Sequence, residues 1–81
     1  MNVNLLFFAT FKDLAGTRRL ELELPAGATV GDLRGSLGVR FPKMIPALGS
    51  ALVSINKEFA FPEDVIPPDA EVALFPPVSG G

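Results

Sequence analysis

The sequence predicts an α+β domain: a mixed sheet of about four to five strands with one main helix packed on one face. Three observations carry this. Two runs near the start show the alternation of strands. One run after Thr29 spaces its apolar residues as a helix does. Further strand-like runs follow, so the helix joins the second strand to the third by the crossover that parallel strands require.

Val3 to Thr10 reads as the first strand. Val3, Leu5, Phe7 and Ala9 fall on one face, with Leu6 and Phe8 on the other, where Asn4 and Thr10 mark the more exposed side. A sheet covered on one side is normally polar on the other. Leu6 and Phe8 therefore call for a second covering, either a partner or a core buried on both sides. Few elements are left in so short a chain to build that second core.

Phe11 to Gly16 is a connection ending in glycine. Arg18 to Leu24 alternates cleanly, with Leu20, Leu22 and Leu24 inward and Arg19, Glu21 and Glu23 outward. The two strands form a hairpin, and Pro25-Ala26-Gly27-Ala28 breaks the pattern. Thr29 then stands at a helix N-cap with Asp32 three residues on, close to a capping box and suited to the helix dipole. The main helix runs from about Val30 to Val39, with Val30, Leu33, Leu37 and Phe41 as its apolar stripe. Gly31, Gly35 and Gly38 weaken it by about 0.8–1 kcal/mol each relative to Ala. Packing on the sheet must hold it, and the glycines are expected to let it lie close to that sheet.

Pro42 ends the helix. Phe41 to Ser50 is a loop or short helical turn, with Met44, Ile45 and Leu48 tucked under the core. Ala51 to Asn56 is a strand with Ala51, Val53 and Ile55 on one face. Asn56-Lys57-Glu58 turns into a short Phe59-Ala60-Phe61 segment, and Pro62 to Asp69 is irregular. Glu71 to Phe75 is the last strand. Val72 and Leu74 face the core, leaving Ala73 and Phe75 outside with Leu6 and Phe8. The simplest assembly sets the first and last strands side by side in the middle of the sheet.

Composition excludes several functions. A chain of 81 residues makes one small domain. It has no Cys and no His, hence no disulfide, no thiolate nucleophile, no imidazole base and none of the usual zinc ligands. No metal or bound cofactor is expected. A net charge of −2 argues against nucleic acid as a partner. The longest apolar run, Leu5 to Ala9, is too short to span a membrane. Without a basic N-terminal region the chain shows no secretory signal, so the cytoplasm is the expected location. Glu58, Glu63 and Asp64 cluster in sequence but fit a solvated loop.

The last six residues, Pro76-Pro77-Val78-Ser79-Gly80-Gly81, divide the chain into a domain over 1–75 and a tail over 76–81. Two prolines fix φ and lack an N–H, so the chain leaves the sheet at Pro76 in an extended direction. Gly80 and Gly81 carry no side chain and fit a slot as narrow as a backbone. What they offer at the tip is one carboxylate. A frayed terminus is also rich in small residues, but it needs no rigid brace.

Leu5-Leu6-Phe7-Phe8-Ala9, the following Gly16, the helix after Thr29-Val30 and the ending Leu74-Phe75-Pro76-Pro77-Val78-Ser79-Gly80-Gly81 resemble the small subunit of molybdopterin synthase. That family consists of ubiquitin-like sulfur carriers in molybdenum cofactor biosynthesis. The likeness covers the whole chain, and the Pro-Pro-Val-Ser-Gly-Gly ending is its most specific part. Gly-Gly alone would fit other ubiquitin-like carriers, for thiamine or tRNA thiolation, or a modifier joined to lysines.

The resemblance implies a β-grasp, or ubiquitin-like, fold. It implies a sulfur-donating subunit that is not an enzyme alone. An adenylating enzyme of the ubiquitin-activating type would use ATP and magnesium to activate the Gly81 carboxylate. A persulfide donor would then turn Gly81 into a thiocarboxylate. The tail residues Pro76, Pro77, Val78, Ser79 and Gly80 would enter the large synthase subunit, where the Gly81 sulfur attacks a cyclic pyranopterin precursor. Leu6, Phe8 and Phe75 are expected to form the apolar patch that docks this partner.

Overall fold

The computed structural model describes residues 1–77. Its elements are β1 (Asn2–Phe7), α1 (Thr10–Ala15), β2 (Arg19–Glu23), α2 (Val30–Arg40), a 3₁₀ turn (Pro42–Met44), α3 (Ile45–Leu48), β3 (Leu52–Ile55), β4 (Glu58–Ala60) and β5 (Glu71–Phe75). The five strands make one sheet in the order β2-β1-β5-β3-β4. β1 and β5 run parallel at its centre, and the other pairs are antiparallel. This is the β-grasp arrangement that the family resemblance implied.

The central place of β1 and β5 follows from their composition. Each has a fully apolar inner face and also carries apolar residues outside, Leu6 on β1 and Ala73 and Phe75 on β5, whereas β2 carries Arg19, Glu21 and Glu23 on its outer face and sits at an edge. On the inner face Val3, Leu5, Phe7, Val53, Val72 and Leu74 are buried in one core with Val30, Leu33 and Leu37 of α2. Burying a Val, Leu or Phe side chain contributes about 1.5–3 kcal/mol. That outweighs the propensity cost of the three helix glycines.

The start of α2 is built as the sequence indicated. The Thr29 hydroxyl accepts from the Asp32 amide at 3.2 Å, and the Asp32 carboxylate accepts from the Thr29 amide at 2.9 Å. The segment after β4 completes the cap. Val30 N–H donates to the Asp64 carbonyl at 3.0 Å and Gly31 N–H to the Pro62 carbonyl at 2.9 Å. The irregular stretch from Pro62 to Asp69 is thereby tied to the helix end. At the far side the Arg34 guanidinium donates to the Leu48 and Ala51 carbonyls at 3.2 and 3.0 Å, holding the link from α3 to β3.

Four expectations change. First, β1 stops at Phe7, and Phe11 to Ala15 lies in α1 instead of a plain connection. Phe11 is buried in the core and drives this. Ala9, expected on the inner face, is exposed in the β1–α1 turn with φ 52° and ψ −122°. Second, the α2 glycines do not bring the helix closer to the sheet, because Val30, Leu33 and Leu37 occupy that side. A Cβ on Gly38 would meet Ile45 of α3 at 3.2 Å, one on Gly31 would meet the Pro62 carbonyl at 3.4 Å, and one on Gly35 would meet nothing within 4 Å. Third, Ile45 is exposed, while Met44 and Leu48 are buried as expected. Fourth, Leu20 is only half-buried, since β2 is an edge strand.

Candidate functional site

The outer face of the sheet is organised in rows that the register defines. The middle row runs Leu6, Ala73, Ser54, Phe59 across β1, β5, β3 and β4. The next row toward the C-terminus holds Phe75 of β5 and Leu52 of β3. Phe8 joins it from just beyond β1: its amide donates to the Leu74 carbonyl at 3.2 Å, and its ring stacks on Phe75 at 4.7 Å with 10° between planes. In the opposite direction the row is polar. Asn4 pairs with Glu71, and the Glu71 amide donates to the Asn56 side chain at 3.0 Å.

These rows enclose a groove of about 310 Å³ lined by Leu6, Phe8, Ser54, Lys57, Phe59, Glu71, Ala73 and Phe75. Ala73 and Ser54 are small and central, so they sink between taller neighbours and expose only 7% and 8% of their surfaces. Leu6 and Phe59 stand on either side of them, and Phe8 and Phe75 close one end. Phe59 is 73% exposed and Phe8 40%. A concave apolar surface with small residues at its floor suits an apolar side chain from outside.

The structure thus brings Leu6, Phe8 and Phe75 together, as the sequence suggested. It adds Leu52, Ser54 and Phe59, which were missed. The signal was present: Leu52 and Ser54 are the alternate set to Val53 and Ile55, and the two-residue turn at Asn56-Lys57 sets Phe59 opposite Ser54. Ala73 lies on the outer face as expected, but closed in instead of prominent.

Phe75 is the last residue of β5, and Pro76 and Pro77 follow outside the strand. The predicted tail positions Val78, Ser79, Gly80 and Gly81 lie outside the described residues. Pro76 and Pro77 therefore leave from the aromatic end of the groove.

Other common sites are closed. The α2 N-terminus, a frequent anion site, spends its first amides on Asp64, Pro62 and Thr29. Among the described residues no group of three or more His, Cys, Asp and Glu could hold a metal ion, and no helix is long and apolar enough to cross a membrane.

Comparison with known proteins gives the same direction. A model described as the ThiS family matches residues 5–81. The molybdopterin synthase sulfur carrier subunit of Haemophilus influenzae is 37% identical over 81 residues, covering 98% of this chain and 99% of that protein. The protein of the same name from Aedes aegypti is 35% identical over 91 residues, covering 100% and 90%. Among solved structures, the small archaeal modifier protein SAMP1 of Haloferax volcanii superposes with a TM-score of 0.85 at 29% identity, covering 100% of both chains.

Proposed function

The chain belongs to the ThiS family, with the sulfur carrier subunits of molybdopterin synthase among its relatives, and from that premise we propose that it carries sulfur on Gly81 for such a synthase. The observation that supports this most is the placement of Pro76 and Pro77. The outer-face groove ends in the Phe8–Phe75 stack, and Pro76-Pro77 leave from that end. A partner seated on the groove meets the root of the tail directly.

The chemistry requires activation first, because a carboxylate has no good leaving group. The Gly81 carboxylate oxygen attacks the α-phosphorus of ATP on an adenylating enzyme of the ubiquitin-activating type. Pyrophosphate leaves, its charge and that of ATP balanced by magnesium. The terminal sulfur of a protein persulfide then attacks the acyl carbon and AMP departs. A thiol cleaves the remaining S–S bond and leaves a thiocarboxylate. This is nucleophilic chemistry at the chain end, which suits a protein without Cys or His. The cofactors of activation belong to the partner enzyme.

The tail next enters the large synthase subunit, and the sulfur attacks the cyclic pyranopterin precursor. Val78 to Gly81 fully extended span about 13–14 Å, at about 3.3–3.6 Å per residue. That reaches from a docked surface into a buried pocket. Pro76 and Pro77 are constrained beforehand, so less conformational entropy is lost on insertion. Val78 fills a small apolar site, Ser79 bonds the channel wall, and Gly80 and Gly81 keep the tip slim. On this reading the chain is a cytoplasmic co-substrate and subunit, not a catalyst alone.

Intact mass spectrometry tests the proposal. The chain is incubated with its activating enzyme, ATP-magnesium and a sulfur source. One oxygen-to-sulfur exchange is expected, located to the C-terminal peptide by fragmentation. Deleting Gly81 should abolish loading, because the new end falls about 3.3–3.6 Å short. Gly81→Ala should impair it by adding a methyl where only backbone fits. Sulfur located elsewhere, or full loading without Gly81, overturns the proposal.

The likeness to an archaeal modifier favours one second reading, a tag joined through Gly81 to lysines of other proteins. Lysine-linked conjugates in cell extract would support it. Loss of molybdoenzyme activity alone in a deletion strain would support the carrier instead.

A further inference from the structure

The outer-face groove has a direction. Its aromatic end, Phe8 and Phe75, adjoins the tail, and its polar end, Lys57 and Glu71, lies at the opposite side of the Leu6–Ala73–Ser54–Phe59 row. Apolar contacts hold a partner but do not orient it, because they have no directional requirement. A charge at one end of an otherwise apolar surface does orient it, since a mispaired charge is penalised.

Lys57 is held at that end in an unfavourable backbone state. Asn56 and Lys57 form the two-residue turn between β3 and β4 with φ 49° and 73°. Such turns place Asn comfortably first and ordinarily Gly second. The turn is pinned on both sides: the Asn56 amide donates to the Glu71 carbonyl at 2.8 Å, and the Asn56 side chain accepts from the Glu71 amide. Glycine would fit this position with less strain, yet the position carries the only cation among the described residues that line the groove. The hairpin accordingly presents a positive charge where a more stable turn would present none.

We propose that Lys57 is an orientation determinant of docking, pairing with a carboxylate on the large synthase subunit. That carboxylate lies next to an apolar side chain which seats over Ala73 and Ser54. The pairing places the partner's channel at the Phe75 end, where the tail departs, and disfavours the reversed placement. This inference rests on the carrier reading and specifies the partner surface that such a reading requires. Glu71 lines the same end of the groove as Lys57, and its negative charge disfavours a carboxylate brought there by the partner.

The test measures association of the full chain with the large subunit at low and high salt, by surface plasmon resonance. Lys57→Gly should fold, as glycine suits the turn, and should weaken binding about threefold at low salt, mostly in the association rate. Its salt dependence should flatten relative to wild type. Lys57→Arg should restore wild-type rate and salt dependence. Glu71→Gln should bind as well as wild type or tighter. Wild-type binding by Lys57→Gly overturns the proposal, including the case where that variant merely self-associates in sedimentation. So does equal loss in Lys57→Arg or in Glu71→Gln. Phe75→Asp keeps the two claims apart: if it binds normally, the docking face itself is wrong. If only Lys57→Gly binds normally, the face stands and its orientation by Lys57 does not.

Discussion

Replacing Ala9 by glycine should stabilise this protein, although glycine ordinarily weakens one. Ala9 links β1 to α1 with φ 52° and ψ −122°. Such sparsely populated conformations cost an L-residue of order 1–3 kcal/mol. The turn cannot relax, because it is bonded on three sides. Phe8 N–H donates to the Leu74 carbonyl at 3.2 Å, Phe11 N–H to the Phe8 carbonyl at 3.1 Å, and Asp13 N–H to the Ala9 carbonyl at 3.2 Å. Glycine adopts these angles without the Cβ clash, at the cost of about 0.4–1 kcal/mol in extra freedom of the unfolded chain. The Ala9 side chain is exposed, so little burial is lost with its methyl. Strain relief therefore exceeds the entropy cost, by about 1 kcal/mol. For a domain of this size that raises Tm by about 4–8 °C. Urea unfolding followed by circular dichroism reads the difference directly. Ala26→Gly, at an exposed turn residue whose φ is not positive, is the control and should lose about 0.4–1 kcal/mol. Equal losses in both variants would show that Ala9 carries no strain.

Three further substitutions have outcomes that follow from geometry. Gly35→Ala should stabilise α2 by about 0.8–1 kcal/mol, the helix-propensity difference, since its new Cβ meets nothing within 4 Å. Gly38→Ala should gain little or lose stability, because Ile45 stands 3.2 Å from the new Cβ; thermal melts that rank the two variants in the opposite order would refute this packing. Phe75→Asp should leave the domain folded, as the ring lies half-buried on the outer face and its stack on Phe8 is worth about 0.5–1.5 kcal/mol. The same change should cost about 2 kcal/mol or more in affinity for the large subunit, about thirtyfold in Kd, measured by calorimetry.

Much of this protein is determined by local pattern. β1 and β5 have apolar inner faces and add Leu6, Ala73 and Phe75 on the outer face, which suits them to the middle of the sheet, and the charged alternation of β2 suits it to an edge. Thr29 and Asp32 mark the start of α2 because a capping box is made of residues three apart. The absence of Cys and His, and the Pro-Pro brace before Gly-Gly, direct attention to the chain end. Other features required the tertiary structure. α1 is too short for periodicity to reveal, and exists because Phe11 finds the core. The sides taken by Gly31, Gly35 and Gly38 depend on where α3 and the Pro62 segment pass, which are contacts distant in sequence. The groove is likewise a product of register. Leu6, Ala73, Ser54 and Phe59 come from four strands, and only the pairing of those strands sets small residues between large ones. Alternation within a strand states which face a side chain takes, but its neighbours on that face come from other strands, so the sequence determined the apolar patch and the fold determined its shape.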